Sequence, residues 1–182
     1  LVQPKRIYSI GGRPVRGPVI LNDKEQTTDA PDHQVVTYEY ENGLNVFWEH
    51  RSFAGNNNAK GENVGCYFYG TEGVLHLGWI DGWTFYPTWR GDTIHVKSEL
   101  HKPDDQNIKE NWADFLSCIK TGKKPASDIE EIFNSTAASL LGMLSLKLGR
   151  SVNWDYKKLR FDNDPEADAL LSRKYRDPWK HP

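Results

Sequence analysis

The sequence has few cysteines and no long apolar segment. Its two cysteines, Cys66 and Cys118, lack the CxxC spacing of metal and redox sites. Two thiols fit a reduced protein as well as one disulfide, so they do not fix the cellular compartment. No apolar run approaches the roughly 20 residues that cross a bilayer, and residues 1–6 lack the charged-then-apolar layout of a signal peptide. We therefore expect a soluble chain of unknown compartment.

Neither sign of charge dominates the chain. Among its 182 residues, 23 are lysine or arginine and 25 are aspartate or glutamate, which gives a formal net charge of −2. This balance offers no basic field for a phosphate backbone and argues against a nucleic-acid partner. The length suits one well-packed domain, so we predict a single domain over residues 1–182. Because the chain starts at Leu1 without an initiator methionine, we expect that an amino-terminal portion is absent.

The common motifs of nucleotide-binding and hydrolytic enzymes are missing. The sequence contains no GxGxxG, no GxxxxGK[ST], no GxSxG and no HExxH. We therefore expect this chain to bind no cofactor on its own. We also expect no metal site, because the histidines that lie on strands and loops lack the close pairing of zinc ligands; these are His33, His76, His95 and His101.

A β-hairpin is predicted near the start of the chain. The alternating segments His33–Glu41 and Leu44–His50 flank Asn42-Gly43, which favours a two-residue type I′ turn because both central residues need positive φ. In that register Tyr38 would face Phe47 and Thr37 would face Trp48. One face would then carry Val36, Tyr38, Tyr40, Phe47 and Glu49, and the other Val46, Trp48 and His50. Both faces hold apolar groups, so we expect the sheet to be covered on both sides.

Further strands and three helices are predicted after this hairpin. Strand pairs are expected at Val64–Tyr69 with Val74–Leu77 and at Trp83–Tyr86 with Thr93–Val96. Apolar spacing predicts a helix over 108–121 that ends at Gly122, and a second over 128–148 that opens with the capping box Ser127–Glu130 and ends at Gly149. A short helix is expected over 165–172. The predicted fold is therefore α+β, with a large mostly antiparallel β-sheet and helices packed on one face.

The long second helix has two adjoining stripes. The apolar stripe, which we expect to form the core, consists of Ile129, Ile132, Phe133, Leu140, Leu141, Leu144 and Leu148. A neighbouring strip of small residues, which would let another backbone approach closely, consists of Ser135, Ala138, Ser139 and Gly142. Packing of this helix against the sheet is sufficient to explain both.

The densest group of polar residues ends the first hairpin. Trp48–Arg51 leads from the strand into a loop that contains three consecutive asparagines. Alternation places Glu49 and Arg51 on one face and His50 on the other. One interpretation is a cross-strand ion pair with a surface histidine. The other is a binding site in which His50 or Arg51 reaches a sugar hydroxyl or a carboxylate.

Two other groups of residues are open to a functional and a structural interpretation. Trp79, Trp83 and Trp89 lie in a loop-rich stretch where they could stack on sugars, although aromatic residues more often form core. A carboxylate pair could come from Asp81, Asp92, Asp104 and Asp105. These positions also suit turns and helix caps, so no acid/base pair and no catalytic residue is assigned.

Short signatures follow one another in the second half of the chain. They are Asn111–Pro125, Leu148–Arg150, Asn153–Asp155, Asn163–Ala167 and Tyr175–Trp179, preceded by Tyr67–Leu75. Together these runs resemble the carboxyl-terminal domain of the glucose-fructose oxidoreductase/inositol dehydrogenase (Gfo/Idh/MocA) family. The terminal DPEA and YRDPW runs resemble its secreted-type bacterial branch, which implies a periplasmic or exported parent.

The resemblance carries expectations about the parent protein. It implies an amino-terminal Rossmann domain that binds NAD or NADP in the parent, and a carboxyl-terminal sheet whose open face forms a homo-oligomer. The family's catalytic lysine and Asp/His pair are not visible in this sequence, so none is carried over. The strand end and loop that touch substrate in relatives correspond by position to His50, Arg51, Asn56, Asn57 and Asn58.

Two functions follow as hypotheses. The first is the substrate-binding and oligomerisation domain of an NAD(P)-dependent oxidoreductase that acts on a sugar, polyol or glycoside, inactive on its own. The second is a stand-alone, non-catalytic module for carbohydrate binding or assembly.

Overall fold

A computed structural model describes residues 3–22, 24, 27–53, 62–99, 108–173 and 175–180. The elements follow in the order β1 (Arg6–Gly12), β2 (His33–Glu39), β3 (Asn45–Arg51), β4 (Gly65–Tyr69), β5 (Gly73–Gly78), β6 (Trp83–Pro87), β7 (Ile94–Val96), α1 (Ile108–Thr121), α2 (Ile129–Leu148), β8 (Val152–Asp155), β9 (Arg160–Phe161) and α3 (Pro165–Asp168). The predicted α+β class with antiparallel sheet is confirmed. No described helix combines the length and the apolar character needed to cross a bilayer.

The chain divides into two compact units. The terminal unit comprises Leu1–Phe53 with Asp128–Pro182, and the central unit comprises Ala54–Ser127. Among the described residues the strands form two sheets rather than one large sheet, with the order β3-β2-β1-β8-β9 in the terminal unit and β4-β5-β6-β7 in the central unit. All of the paired strands run antiparallel.

The first hairpin forms as predicted, but its register differs by one residue. Tyr38 pairs with Val46 and Thr37 pairs with Phe47. The loop has three residues rather than two, because the Tyr40 N–H bonds to the Leu44 carbonyl at 2.9 Å. Only Gly43 takes a positive φ there, of +83°, as in a type I turn followed by a glycine bulge. The shift by one residue places every side chain of β3 on the face of the sheet opposite to the predicted one.

One face of the five-stranded sheet is covered by α2. The hydrophobic core on this face consists of Ile7, Val36, Tyr38, Leu141, Val152, Trp154, Phe161 and Ala167. A Cβ added to Gly142 would lie 2.9 Å from the Tyr38 hydroxyl oxygen and 3.2 Å from the Val36 methyl carbons. The helix can therefore approach the sheet closely only because position 142 has no side chain. Burial raises the pKa of Tyr38 to about 12, so its phenol stays protonated beside the helix.

The buried face of α2 is rotated from the predicted apolar stripe toward the strip of small residues. Its buried residues are Ala137, Leu141, Gly142 and Ser145, whereas Ile129, Phe133 and Leu140 are exposed. The Ser145 hydroxyl accepts a hydrogen bond from the Ser9 N–H at 3.0 Å, which joins α2 to β1. The residue that caps the helix is Asp128, one position after the predicted Ser127, because its carboxylate accepts from the Glu130 N–H at 3.0 Å. Gly149 ends the helix with a φ of +65°, as predicted.

The tail returns to the sheet through two strands that were not predicted. Strand β8 pairs with β1, and β9 pairs with β8. The short helix α3 starts at Pro165 as predicted but ends at Asp168. Arg150 joins this tail to the end of α2, because its guanidinium donates to Asp164 at 2.5 and 2.9 Å and to Glu166 at 2.8 Å.

The central unit contains the other two predicted strand pairs. Tyr67 pairs with His76, His76 with Thr84, and Thr84 with His95, so these four residues form a row across β4, β5, β6 and β7. Helix α1 ends before Gly122 as predicted, but none of its described residues is buried. The apolar residues whose spacing predicts α1 are exposed: Ile108, Trp112, Phe115, Leu116 and Ile119.

Candidate functional site

The structure places two of the five predicted substrate residues at the end of β3. The Arg51 guanidinium lies 3.1 Å from the Glu49 carboxylate on one face of the strand. The His50 ring stacks on Trp48 on the other face, with 5.6 Å between ring centroids and 9° between planes. The ion pair is formed within one strand and not between strands. Asn56, Asn57 and Asn58 lie outside the described residues, so the five-residue site stays a prediction.

A buried aspartate supports this end of the hairpin. The Asp32 carboxylate accepts from the N–H groups of Val15 and Arg16 at 2.8 and 2.7 Å, and the Asp32 carbonyl accepts from the Ser52 N–H at 2.8 Å. Desolvation by burial would raise the pKa of Asp32, but these N–H groups and the nearby guanidinium groups outweigh it and lower the pKa. Asp32 therefore stays ionised and fixes the residues just after β1 and β3. Sequence reasoning missed it, because only the fold places it beside Ser52.

Buried polar atoms without a hydrogen-bond partner are concentrated in the same region. Within the described part of the chain they are Nη2 of Arg13, Oδ1 of Asp32 and Nδ1 of His33. His33 packs edge-on against Phe53, at 6.4 Å between ring centroids, and pairs in register with Arg51. Oδ1 of Asp32 nevertheless has a charged neighbour, because Nε of Arg16 lies 3.2 Å from it.

A second cluster of polar side chains lies in the central unit, and the sequence analysis did not predict it. A cavity of about 280 Å³ is lined by the side chains of Glu62, His76, Asp81, Thr84, Tyr86 and His95. Thr84 Oγ1 lies 2.9 Å from His95 Nδ1, and Asp81 Oδ1 lies 3.7 Å from His95 Nε2. The spacing of these histidines in the sequence does not indicate the cluster, because only the strand register brings His76 and His95 to either side of Thr84.

Glu62 holds the turn beside this cavity. Its carboxylate accepts from the N–H groups of Ile80 and Asp81 at 2.7 and 3.0 Å. Desolvation on its own would raise the pKa of Glu62, but the N–H groups of Ile80, Asp81 and Trp79 lower it overall. The carboxylate therefore stays charged and serves as an acceptor. No group of three or more histidine, cysteine, aspartate or glutamate side chains suited to a metal ion occurs among the described residues.

Comparison of the sequence with family models shows the family to which the chain belongs. A family model for the carboxyl-terminal alpha/beta domain of the Gfo/Idh/MocA oxidoreductase family matches residues 12–181. Because the match covers nearly the whole chain, the chain belongs to this family of oxidoreductase domains. Comparison with curated proteins gives no match.

Three solved structures share the fold. Levoglucosan dehydrogenase in complex with NADH and levoglucosan has a TM-score of 0.60 at 14% identity, over 83% of this chain and 45% of that one. An oxidoreductase from Agrobacterium radiobacter in complex with NAD+, L-tartaric acid and magnesium has a TM-score of 0.57 at 10% identity, over 83% and 43%. Aldose-aldose oxidoreductase from Caulobacter crescentus, complexed with glycerol, has a TM-score of 0.56 at 12% identity, over 83% and 41%. The chain thus spans less than half the length of these proteins, and at these identities the similarity shows the fold alone.

Proposed function

We propose that this chain is the substrate-binding and oligomerisation domain of an NAD(P)-dependent oxidoreductase that acts on a sugar, polyol or glycoside. The observation that carries the proposal is the family match over residues 12–181. The nicotinamide cofactor is assigned to the rest of the parent protein, because the chain contains none of the glycine-rich motifs that cradle a pyrophosphate. The DPEA and YRDPW runs support the secreted-type bacterial branch and an exported parent.

Within this proposal, His50, Arg51 and Asn56 to Asn58 contact the substrate. Arg51 supplies charged donors, held in place by Glu49 at 3.1 Å. His50 supplies an imidazole on a flat stack with Trp48, a surface that suits the apolar face of a sugar ring. Because Arg51 and His50 lie on opposite faces of β3, a single ligand would meet both only around the strand end.

The first prediction concerns Arg51 in the full-length parent enzyme. We expect Arg51→Ala to raise the KM for the sugar substrate by roughly tenfold with little change in kcat, because a charged hydrogen bond to bound substrate is lost. Hydride transfer would be followed by nicotinamide absorbance over a panel of sugars, polyols and glycosides. Arg6→Ala is the matched control, since Arg6 is also paired with a glutamate on the same sheet, at 3.5 Å from Glu39. Equal KM values for wild type and Arg51→Ala would contradict the assignment.

We also propose that the open face of the five-stranded sheet forms the homo-oligomer. Helix α2 covers the opposite face. On the open face the exposed large side chains are Tyr8, Ile10 and Phe47, which the register brings onto adjacent strands. A cluster of exposed apolar side chains of this kind typically marks an interface, and a two-fold axis is the commonest way to cover such a face.

The second prediction tests this interface. At tens of micromolar we expect the wild-type chain to sediment as a dimer and Phe47→Lys to sediment as a monomer. Phe47 is 75% exposed on the open face of the chain, and a lysine there would bury an unpaired charge in the dimer interface. Leu140→Lys, an equally large change at an exposed position of α2, should leave the dimer intact. A monomeric wild type, or a dimer that both variants preserve, would refute the proposed interface.

The alternative function is a stand-alone module for carbohydrate binding or assembly. The two hypotheses differ in the gene sequence directly upstream of Leu1. A reading frame that encodes a GxGxxG motif and a Glu-Lys-Pro motif supports the oxidoreductase domain. A start codon immediately before Leu1 supports the module.

A further inference from the structure

The loop after β1 carries an arginine whose guanidinium is held by a buried carboxylate. The Arg16 side chain is 50% exposed, and its Nε lies 3.2 Å from Oδ1 of Asp32, whose own side chain is 0% exposed. The Asp32 carboxylate is fixed in turn, because it accepts from the N–H groups of Val15 and Arg16 at 2.8 and 2.7 Å. The ion pair uses Nε, and within the described part of the chain no hydrogen bond occupies the two Nη groups of Arg16. These two groups are therefore left for a ligand.

Asp32 holds Arg16 on the same face of the sheet as His50. Gln34 pairs in register with His50, so the side chains of these two residues share a face. Asp32, Gln34 and Val36 are buried whereas the residues between them are half-buried, so Asp32 continues the face of Gln34. Diagonal neighbours on one face of an antiparallel pair, as Asp32 and His50 are, lie about 7–8 Å apart. The ion pair therefore brings the Arg16 guanidinium to the His50 side of the strand end, opposite to Arg51.

Helix α2 leaves the β3 part of this face uncovered. Among the described residues, the core cluster beneath α2 takes side chains from β1, β2, β8 and β9 but none from β3. Trp48 is accordingly 41% exposed, and the His50 ring that stacks on it is exposed as well. The flat pair of rings and the Arg16 guanidinium thus lie on one accessible side of the strand end.

The charges around Asp32 favour an anionic ligand. Both Arg13 and Arg16 act electrostatically on the Asp32 carboxylate. The Arg13 guanidinium donates to backbone carbonyl groups: those of Gly17, Thr28 and Ala30. It forms no ion pair with a carboxylate among the described residues, and its Nη2 is buried there without a hydrogen-bond partner. Two guanidinium groups and one carboxylate leave one positive charge in excess, which attracts an anion and repels a cation.

We propose that Arg16, positioned by Asp32, determines specificity in the proposed substrate site by binding the negatively charged group of a sugar whose ring lies on Trp48 and His50. The two Nη groups form a fork that donates parallel hydrogen bonds to a carboxylate or a phosphate. The stacked rings offer a flat surface to the apolar face of a pyranose. This inference rests on the proposed function and names the class of substrate within it, a sugar that carries an oxyanion.

The experiment is a titration of the 182-residue chain, labelled with nitrogen-15 and followed by NMR. The probes are D-glucose, D-glucuronate, D-glucose 6-phosphate and D-glucosamine, which share a pyranose ring and differ in charge. We expect at least one of the two anions to shift the backbone amide signals of Arg16, Trp48 and His50 with a dissociation constant on the order of a millimolar. Glucose should bind roughly tenfold more weakly, because it lacks the charged partner of Arg16. The tighter of the two anions identifies the oxyanion as carboxylate or phosphate.

One substitution and a matched control assign the preference to Arg16. Arg16→Gln should lower the affinity for the anion to that for glucose and leave glucose binding unchanged, because only the oxyanion contacts the guanidinium. Arg6→Gln should keep the preference, since Arg6 is also ion-paired on this sheet, at 3.5 Å from Glu39. A dispersed spectrum confirms that each variant is folded.

The outcomes separate this inference from the proposed function. The inference alone is overturned if glucose shifts these amides as tightly as both anions do, if glucosamine binds more tightly than both anions, or if Arg16→Gln keeps the preference for the anion. Absence of shifts with all four sugars would overturn the proposed substrate site at this strand end, and this inference with it.

Discussion

Phe161→Ala is expected to lower the free energy of unfolding of the terminal unit by about 3–5 kcal/mol. Phe161 is 1% exposed and meets Trp154 edge to face, with 5.1 Å between ring centroids. The truncation removes a buried aromatic ring, leaves a cavity in the core and breaks this ring pair, and these losses act in the same direction. The backbone at this position is also fixed, because the Phe161 N–H donates to the Asp168 carboxylate at 2.7 Å.

Denaturant unfolding followed by circular dichroism measures this effect as a shift in midpoint at constant slope. Phe133→Ala is the matched control, because the same ring is removed from α2 at a half-exposed position. We expect its cost to stay below about 1 kcal/mol, as is usual for surface substitutions. Equal midpoint shifts in the two variants would mean that β9 does not belong to the core.

The tail that contains Phe161 has one element that a sequence pattern predicts and one that it does not. A helix start at Pro165 was predictable, because proline suits the first turn and Asp164 caps it through the Ala167 N–H at 3.1 Å. Strand β9 was not, because two residues cannot display an alternation. It exists through long-range pairing with β8, and that pairing has no local signal in the sequence.

The first hairpin shows a different limit. Its strands and its turn were predicted from the Asn42-Gly43 pair, yet the same pair serves both a two-residue turn and a three-residue turn with a glycine bulge. The two-residue turn would place Tyr38 opposite Phe47, whereas Tyr38 lies opposite Val46 in the structure. Local turn chemistry thus predicts that a hairpin forms. The packing of α2 on Val36 and Tyr38 decides which face of the hairpin is buried.

The candidate sites divide in the same way. His50 and Arg51 could be singled out because neighbours in sequence stay neighbours on one strand end. The row of His76, Thr84 and His95 could not, because its members come from three strands and meet only through register. Scattered histidines in a sequence therefore do not indicate scattered histidines in the fold.

Leu141→Ala distinguishes the observed phase of α2 from the apolar stripe that the sequence favours. Both Leu140 and Leu141 belong to that stripe, yet Leu141 is 3% exposed and Leu140 is 59% exposed. The difference arises because the sheet approaches most closely at Gly142, so the helix turns its small residues and Leu141 toward Val36 and Tyr38. We expect Leu141→Ala to cost about 2–5 kcal/mol, from lost burial together with the cavity left behind.

Leu140→Ala is the control that makes this result decisive, because the two variants share composition, helix propensity and neighbours in sequence. It should change the free energy of unfolding by less than about 1 kcal/mol, and denaturant midpoints measured under the same conditions give both values. Equal losses would mean that the helix buries the broader apolar stripe. A larger loss at Leu140 would mean that α2 buries a different face. Gly142 would then no longer lie at the closest contact with the sheet. The observed packing requires the loss to fall on Leu141, since only that side chain enters the core beside the closest contact between helix and sheet.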